Sequence, residues 1–399
     1  KTEQAVALYD DFFPDFAGTF YEPQVSVYTL EALEKVGRAE DGLTQLEKMI
    51  VVLGSREMAN QDLDLLRRCI GSYSEASVRN RGAEKTLETL GNFPGLDPNN
   101  QALMTWLKMQ KVIVLQTMRS ELKKDAPEYA ALTTRIDQEF REMEQFEVKQ
   151  LSEIALKMIG DYLSNSDNPF LGVRYYEELL VRENPDADKL KASADLGLGR
   201  LEARRPDKAA QNSARDRFRR VIEKYGDKAL EPDAWLELGR VDMALERWAD
   251  AKEAFAKINQ NKKWLTAVER AESNYNYGVC LEKVGDLGGA LQAYNAVWVT
   301  ATKYVEWSSQ AFEKVMILGF QDIEANNTDP IVIRAKKIEY YELLKLKMFQ
   351  WQQFEETDAL RRLKRRLPEM RDELGITVEE EKAIDFKLGL DQVAPAPAK

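Results

Sequence analysis

Few side chains in this sequence can carry covalent or proton-transfer chemistry. Histidine is absent from all 399 residues. That removes Ser-His-Asp triads, Cys-His dyads, histidine metal sites and histidine general bases together. The two cysteines, Cys69 and Cys280, stand 211 positions apart, each inside an apolar helical pattern. They read as small core residues rather than as a disulfide pair, so the redox compartment stays open. A GxGxxG after a strand, a P-loop, GxSxG and CxxC are all missing. Carboxylate pairs carry no weight, because 68 acidic residues guarantee some. Glu379–Glu381 reads as a helix N-terminal cluster favoured by the macrodipole. No catalytic residue, cofactor or metal ligand is expected.

Arginine keeps its recognition chemistry, since its planar fork suits bidentate binding of carboxylate or phosphate. One basic stretch runs over Arg204–Lys224 and includes Arg215, Arg217, Arg219 and Arg220. A second holds Arg361, Arg362, Lys364, Arg365 and Arg366. Neither interleaves the aromatic platforms of single-strand binders, and Leu360, Leu363 and Leu367 give the second a helical core stripe. With a formal charge of −11 and a pI of about 5, both read as solvated helix faces, and nucleic acid is not an expected partner. Trp235 and Trp248 fall at packing positions. Trp264, Trp298, Trp307 and Trp351 fall near hairpin ends, where they seal loops or stand exposed as binding anchors.

Helices must position these side chains. Glycine (21) and proline (13) are scarce for so long a chain, which favours helices over many β-hairpins. No run approaches the roughly 18 apolar residues of a membrane span. An apolar residue followed by glycine recurs as Ile159-Gly160, Leu198-Gly199, Leu238-Gly239, Tyr277-Gly278 and Leu318-Gly319, at spacings of 39, 40, 39 and 41. Ile70-Gly71 matches upstream, and Leu30 lies 41 residues before it. A second signature places a small residue, then a ring or Leu four later, then an apolar residue three later. It reads Gly42-Leu46-Met49, Ala83-Leu87-Leu90, Gly172-Tyr176-Leu179, Ala214-Phe218-Val221, Ala251-Phe255-Ile258 and Ala290-Tyr294-Val297. Seven residues span two turns, so each triplet shares one buried stripe. The small residue lets two helices approach, and the ring is expected to fill space toward the next repeat.

Trp235, Leu238, Gly239, Trp248, Ala251 and Phe255 resemble a tetratricopeptide repeat, and Tyr277, Gly278, Gly285, Leu287, Ala290 and Tyr294 follow the same pattern. The resemblance implies an all-α fold, an α-solenoid in which antiparallel helix hairpins stack into a right-handed superhelix. The period of about 40 residues exceeds the family's 34, so helices or turns must be longer, and Arg204–Ala214 is expected to be one insertion. The organisation expected is degenerate hairpins over 1–153, clearer repeats over 154–328, capping helices over 329–390 and an extended Ala/Pro-rich tail over 391–399. In the C-terminal part, helices are expected over Ile331–Phe349, opened by Asp329-Pro330, over Gln353–Met370, and from a Thr377–Glu380 capping box to Leu388. Ala5, Tyr9 and Phe12 have the spacing of a second helix without a first; Phe13-Pro14 then follows and stops it, as Asn184-Pro185 follows a later hairpin. This fits a capping helix or a chain that begins inside a longer array.

In this family the first helices line a concave groove. The residue after each marker glycine is then expected to face it: Asp161, Arg200, Arg240, Val279 and Phe320. Arg204 is placed one turn beyond Arg200 on the same face. Tyr275 and Asn276 hold positions that some peptide-clamping members use. Arg200, Arg204, Arg240, Tyr275 and Asn276 are therefore the candidate peptide-binding set, with pairing to neighbouring Asp and Glu as the alternative. The function implied is a non-catalytic scaffold or adaptor that binds a peptide or partner protein. A regulatory or sensor region of a larger protein and an all-α toroid enzyme are the alternatives. Phe13-Pro14-Asp15, Phe20-Tyr21 and Val27-Tyr28 look like repeat proteins of the Gram-negative cell envelope, which implies a periplasmic or envelope location, with the cytoplasm as the other option.

Overall fold

The computed structural model describes residues 1–390 apart from 17, 19–20, 55–59, 94–95, 97–99 and 262. All regular structure among the described residues is helical, with nineteen α-helices. None of them is long and apolar enough to cross a membrane. The chain divides into two compact units, Lys1–Leu201 and Glu202–Lys399.

The first unit holds α1 (Thr2–Phe16), α2 (Glu22–Lys35), α3 (Ala39–Gly54), α4 (Asn60–Arg81), α5 (Ala83–Gly91), α6 (Gln101–Ser120), α7 (Pro127–Met143), α8 (Glu153–Ser164), α9 (Val173–Val181) and most of α10 (Pro185–Ala203). The second holds α11 (Lys208–Arg220), α12 (Glu231–Ala244), α13 (Trp248–Gln260), α14 (Ala267–Lys283), α15 (Leu287–Thr300), α16 (Val305–Asn326), α17 (Pro330–Trp351), α18 (Asp358–Glu373) and α19 (Val378–Leu388). From α1 to α9 each helix packs on its successor, and α2, α4, α6 and α8 also touch along one side. The second unit repeats the scheme from α11 to α18, with α14, α16 and α18 as touching alternates, and α19 packs on α17. Neighbouring helices joined by short turns run antiparallel, so each unit is a stack of hairpins, the α-solenoid arrangement.

The small-large triplets supply the cores. Leu46, Met49, Tyr176, Leu179, Ala214, Phe218, Val221, Ala251, Phe255, Ile258, Ala290, Tyr294 and Val297 are all buried. The ring shares a core with the next hairpin, Phe255 with Cys280 of α14 and Tyr294 with Ala311 and Val315 of α16. It also lies against the marker glycine of its own hairpin, which the sequence did not anticipate. A Cβ on Gly239 would sit 2.7 Å from the Phe255 ring, one on Gly278 2.7 Å from Tyr294, and one on Gly160 2.8 Å from Tyr176. Tyr176 also covers a glycine of the following helix, Gly197. Burying such a ring stabilises by about 2–3 kcal/mol, and the glycine makes the approach possible. Cys69 and Cys280 are buried, unpaired thiols.

One turn closes hairpins in both units. The amide of Arg38 donates to the Leu33 carbonyl, Arg247 to Asp242 and Asp286 to Leu281. Each turn needs a left-handed residue, supplied by Gly37 (φ 78°), Glu246 (φ 59°) and Gly285 (φ 88°). At Glu246 a side chain stands where its relatives have none, at a cost of about 1 kcal/mol.

Capping follows the sequence closely. Asp329 caps α17 at Ile331, and the Thr377–Glu380 capping box opens α19. Three boundaries differ from expectation. Helix α1 runs on through Pro14 to Phe16. Asn184-Pro185 follows the α8–α9 hairpin, but the proline also begins α10, because the Asn184 side chain accepts from the amides of Asp186 and Ala187 and proline has no donor to lose there. The expected helix over Gln353–Met370 starts only at Asp358, where the Thr357 hydroxyl accepts from Leu360. Arg204–Ala214 is not a loop insertion: α10 extends over 19 residues to Ala203 and α11 starts at Lys208, capped by Asp207. The 391–399 tail and Phe20 lie outside the described residues.

Candidate peptide-binding groove

The first unit carries a groove of about 870 Å³ walled by α2, α4, α6 and the starts of α8 and α10, which are alternate helices of the stack. The reason lies in the helical register of α4. Leu66, Cys69, Ile70, Tyr73 and Ala76 form its buried stripe. At 3.6 residues per turn, Gly71 lies about 200° round from Tyr73, on the opposite face. Asp64, Arg67, Arg68, Gly71, Glu75, Val78 and Arg79 therefore line the groove. The Ile70-Gly71 match to the repeat marker does not hold in space: no atom lies within 4 Å of a Cβ built on Gly71, whereas Gly239 and Gly278 are covered by rings. Across the groove, α6 presents Trp106, Gln110, Ile113 and Thr117 at helical spacing. Ile113 on α6 and Ile154 on α8 are each 42% exposed.

Most charges on these walls are satisfied locally. Arg79 forks onto Glu34, with its Nη2 at 2.9 Å, and this contact holds the Glu34 carboxyl below its usual value. Arg182 donates to Glu153 at 2.9 Å. Burial pushes the Glu153 carboxyl up, but its own backbone amide, Arg182 and Asn184 together hold it low. Lys189 pairs with Asp186 at 3.0 Å. Arg67 reaches Asp64 at 3.4 Å and lies over the Trp106 ring, 5.8 Å from its centroid. Two donors in this layer, Arg67 Nε and Trp106 Nε1, are buried without an acceptor. Among the described residues the exposed Arg68 has no ion partner, and Glu75 has none either, although it acts on Arg79 through space.

The arginine set expected from the sequence lies elsewhere. Arg200 is half-buried in the last turn of α10, where its charge acts on Tyr176. Arg204 is not one turn further along the same helix face, because α10 has ended and Arg204 stands exposed in the following turn. Arg240 is committed: its Nε and Nη2 both donate to Glu272 at 2.7 Å and its Nη1 to Glu237 at 3.1 Å. Burial works against the charge on Arg240, but the two glutamates hold its pKa above the usual value. Tyr275 packs on Tyr294 and Trp307, with centroids 5.5 and 5.7 Å away, and burial pushes its hydroxyl up to about 12. Asn276 is half-buried beside it on α14. Asp161 lines a separate hollow of about 750 Å³ and accepts from Lys157 and the Tyr176 hydroxyl.

Most of the basic side chains in the two runs are paired in place. Arg215 is buried between Asp242 at 2.5 Å and Asp250 at 2.8 Å, and Arg217 donates to Glu202. In the second run Arg361 pairs with Asp358, Arg362 with Glu313, Lys364 with Glu356 and Arg366 with Glu373. Of the hairpin-end tryptophans, Trp351 is fully buried. Trp298 and Trp351 face the buried Lys347 ammonium, 5.0 and 5.8 Å from the ring centroids.

The groove escaped the sequence reading because that reading followed the glycine marker. The buried stripe of α4 was the available signal, since it alone shows that Gly71 points outward. No family model matches this chain, and no curated protein matches it. Among solved structures, the crystal structure of yeast Tom70 is 14% identical, with 98% of this chain and 85% of that chain covered and a TM-score of 0.35. A monomeric mutant of IFIT1 with Gppp-AAAA is 12% identical, with 98% and 95% covered and a TM-score of 0.32. Scores this low support no inference, and the assignment of stacked helix hairpins rests on the packing of this chain itself.

Proposed function

We propose that this chain is a non-catalytic scaffold that binds a peptide segment of a partner protein in the groove of its first unit. The observation that carries this reading is the groove itself, where alternate helices of a hairpin stack turn one face each to a common hollow. Exposed Ile113 and Ile154 supply apolar anchors, and Arg68 and Glu75 supply charges not spent on internal pairs. Affinity then comes from buried apolar side chains, with polar contacts setting register.

The set Arg200, Arg204, Arg240, Tyr275 and Asn276 remains a second proposal for the peptide site. There Arg240 has to exchange Glu272 for a ligand carboxylate, which favours the first groove. An envelope location rests on the sequence resemblance alone.

The test is a random peptide library displayed against the full chain. Enriched peptides are then titrated on the wild type, on an Ile113→Glu/Ile154→Glu variant and on an Arg200→Glu/Arg240→Glu variant, each of unchanged helicity by circular dichroism. Binding lost only in the isoleucine variant supports the groove. Loss only in the arginine variant moves the site to the second set. No enriched peptide removes the peptide-scaffold reading.

A further inference from the structure

We propose that the groove selects an extended peptide carrying an acidic and a basic side chain three residues apart, with an apolar side chain between them. This rests on the groove being a peptide site and adds the chemistry of the peptide. Arg68, Gly71 and Glu75 fall at i, i+3 and i+7 on one face of α4, and all three line the groove. Two helical turns separate the charged pair, about 10.5 Å along the axis. In the extended polyproline II form three residues span about 9 Å and complete one turn, so the side chains at i and i+3 of a peptide laid along α4 share a face and reach both.

These two charges are the ones left over. Among the described residues that wall the groove, Arg67, Arg79, Glu153, Asp186 and Lys189 all have internal ion partners. Among the described residues Arg68 has neither an ion partner nor a hydrogen-bond partner, and Glu75 has only the through-space field of Arg79. A ligand that neutralises both ends displaces no internal contact, whereas a ligand bearing two like charges meets repulsion at one end. Between the ends, the open space at Gly71 admits a side chain. The facing stripe of Trp106 and Ile113 supplies apolar contact for it.

The experiment uses three fluorescein-labelled peptides of equal length with the cores Asp-Leu-Leu-Lys, Asp-Leu-Leu-Asp and Lys-Leu-Leu-Lys, titrated by anisotropy at low ionic strength. The wild type is expected to prefer the mixed core by about two- to five-fold, the range for exposed ion pairs. That preference shrinks as salt is raised. Arg68→Glu is expected to switch the preference to the Lys/Lys core, and Glu75→Arg to the Asp/Asp core. Both sites are solvent-exposed, and helicity checks the fold of each variant. A ranking unchanged by either reversal, or a wild type that binds all three cores alike, overturns the charge selection. If binding is still lost in Ile113→Glu/Ile154→Glu, the scaffold reading survives that result. If none of the three peptides binds and the library also yields none, the groove reading falls with it.

Discussion

Helices α4 and α12 each place a glycine after an apolar residue, and the two glycines face opposite environments. Gly239 of α12 lies under the Phe255 ring, and Gly278 of α14 lies under Tyr294 in the same way. Gly71 of α4 looks out into a groove with nothing over it. One dipeptide pattern thus marks close packing in α12, α14 and, in the first unit, α8, and open space in α4. The difference comes from the stripe around it. In α12 the buried positions include Leu238 and Gly239 themselves, whereas in α4 they follow Leu66, Cys69, Tyr73 and Ala76 and turn Gly71 away. A glycine reports only that a side chain is missing. Its neighbours four and seven residues away report which side is missing it.

The comparison can be broken most forcefully from the ring. Phe255→Ala opens a cavity over Gly239 and is expected to cost about 3–5 kcal/mol of unfolding free energy in urea titrations. A loss below 1 kcal/mol would mean that the ring does not hold the hairpin together. Next in size is Gly239→Ala, whose new methyl meets the Phe255 ring at 2.7 Å. Overpacking of about 1–3 kcal/mol then outweighs the helix propensity that alanine brings. Glu246→Gly relieves a left-handed glutamate and is expected to stabilise by about 1 kcal/mol, read as a higher urea midpoint. Gly71→Ala meets no atom and is expected to stabilise by about 0.5–1 kcal/mol, the reverse sign of the same change at Gly239. Equal signs at the two glycines would show that the groove face of α4 is packed after all.

The mildest change sharpens the contrast by pH. Burial raises the Tyr275 hydroxyl from 10.0 to about 12. Its contribution to stability is therefore complete below pH 10 and is lost as pH climbs from 10 toward 12, because the unfolded chain ionises first. Urea midpoints on either side of pH 10 are expected to fall for the wild type and to fall less for Tyr275→Phe.

Helix identity and the small-large triplets could be read from the sequence because both depend on local periodicity. Tyr176, Phe218, Phe255 and Tyr294 are buried where spacing places them. The direction in which each ring leans could not be read, since it depends on whether its own hairpin or the next one offers a glycine at the right height. Proline misled at residue 14, where α1 runs on to Phe16; at residue 185 the missing donor falls in the first turn of a helix, where no partner is needed. The arginines of the sequence-derived set were located on or beside the expected helices. Whether a guanidinium is spoken for depends on a partner some 30 residues away, such as Glu272 for Arg240, and no local spacing encodes that.

Each unit also encloses one unpaired thiol, Cys69 in the first and Cys280 in the second, and both are fully buried. Burial pushes both up to about 12, so neither is a nucleophile while its surroundings stay closed. Modification by a thiol reagent at neutral pH therefore has to wait for the helices around one cysteine to separate. With a single reporter on either side of Leu201, the two labelling rates time the opening of the two units independently in one unmodified chain, and a peptide held in the first unit should slow the Cys69 clock while leaving the Cys280 clock running at its own pace.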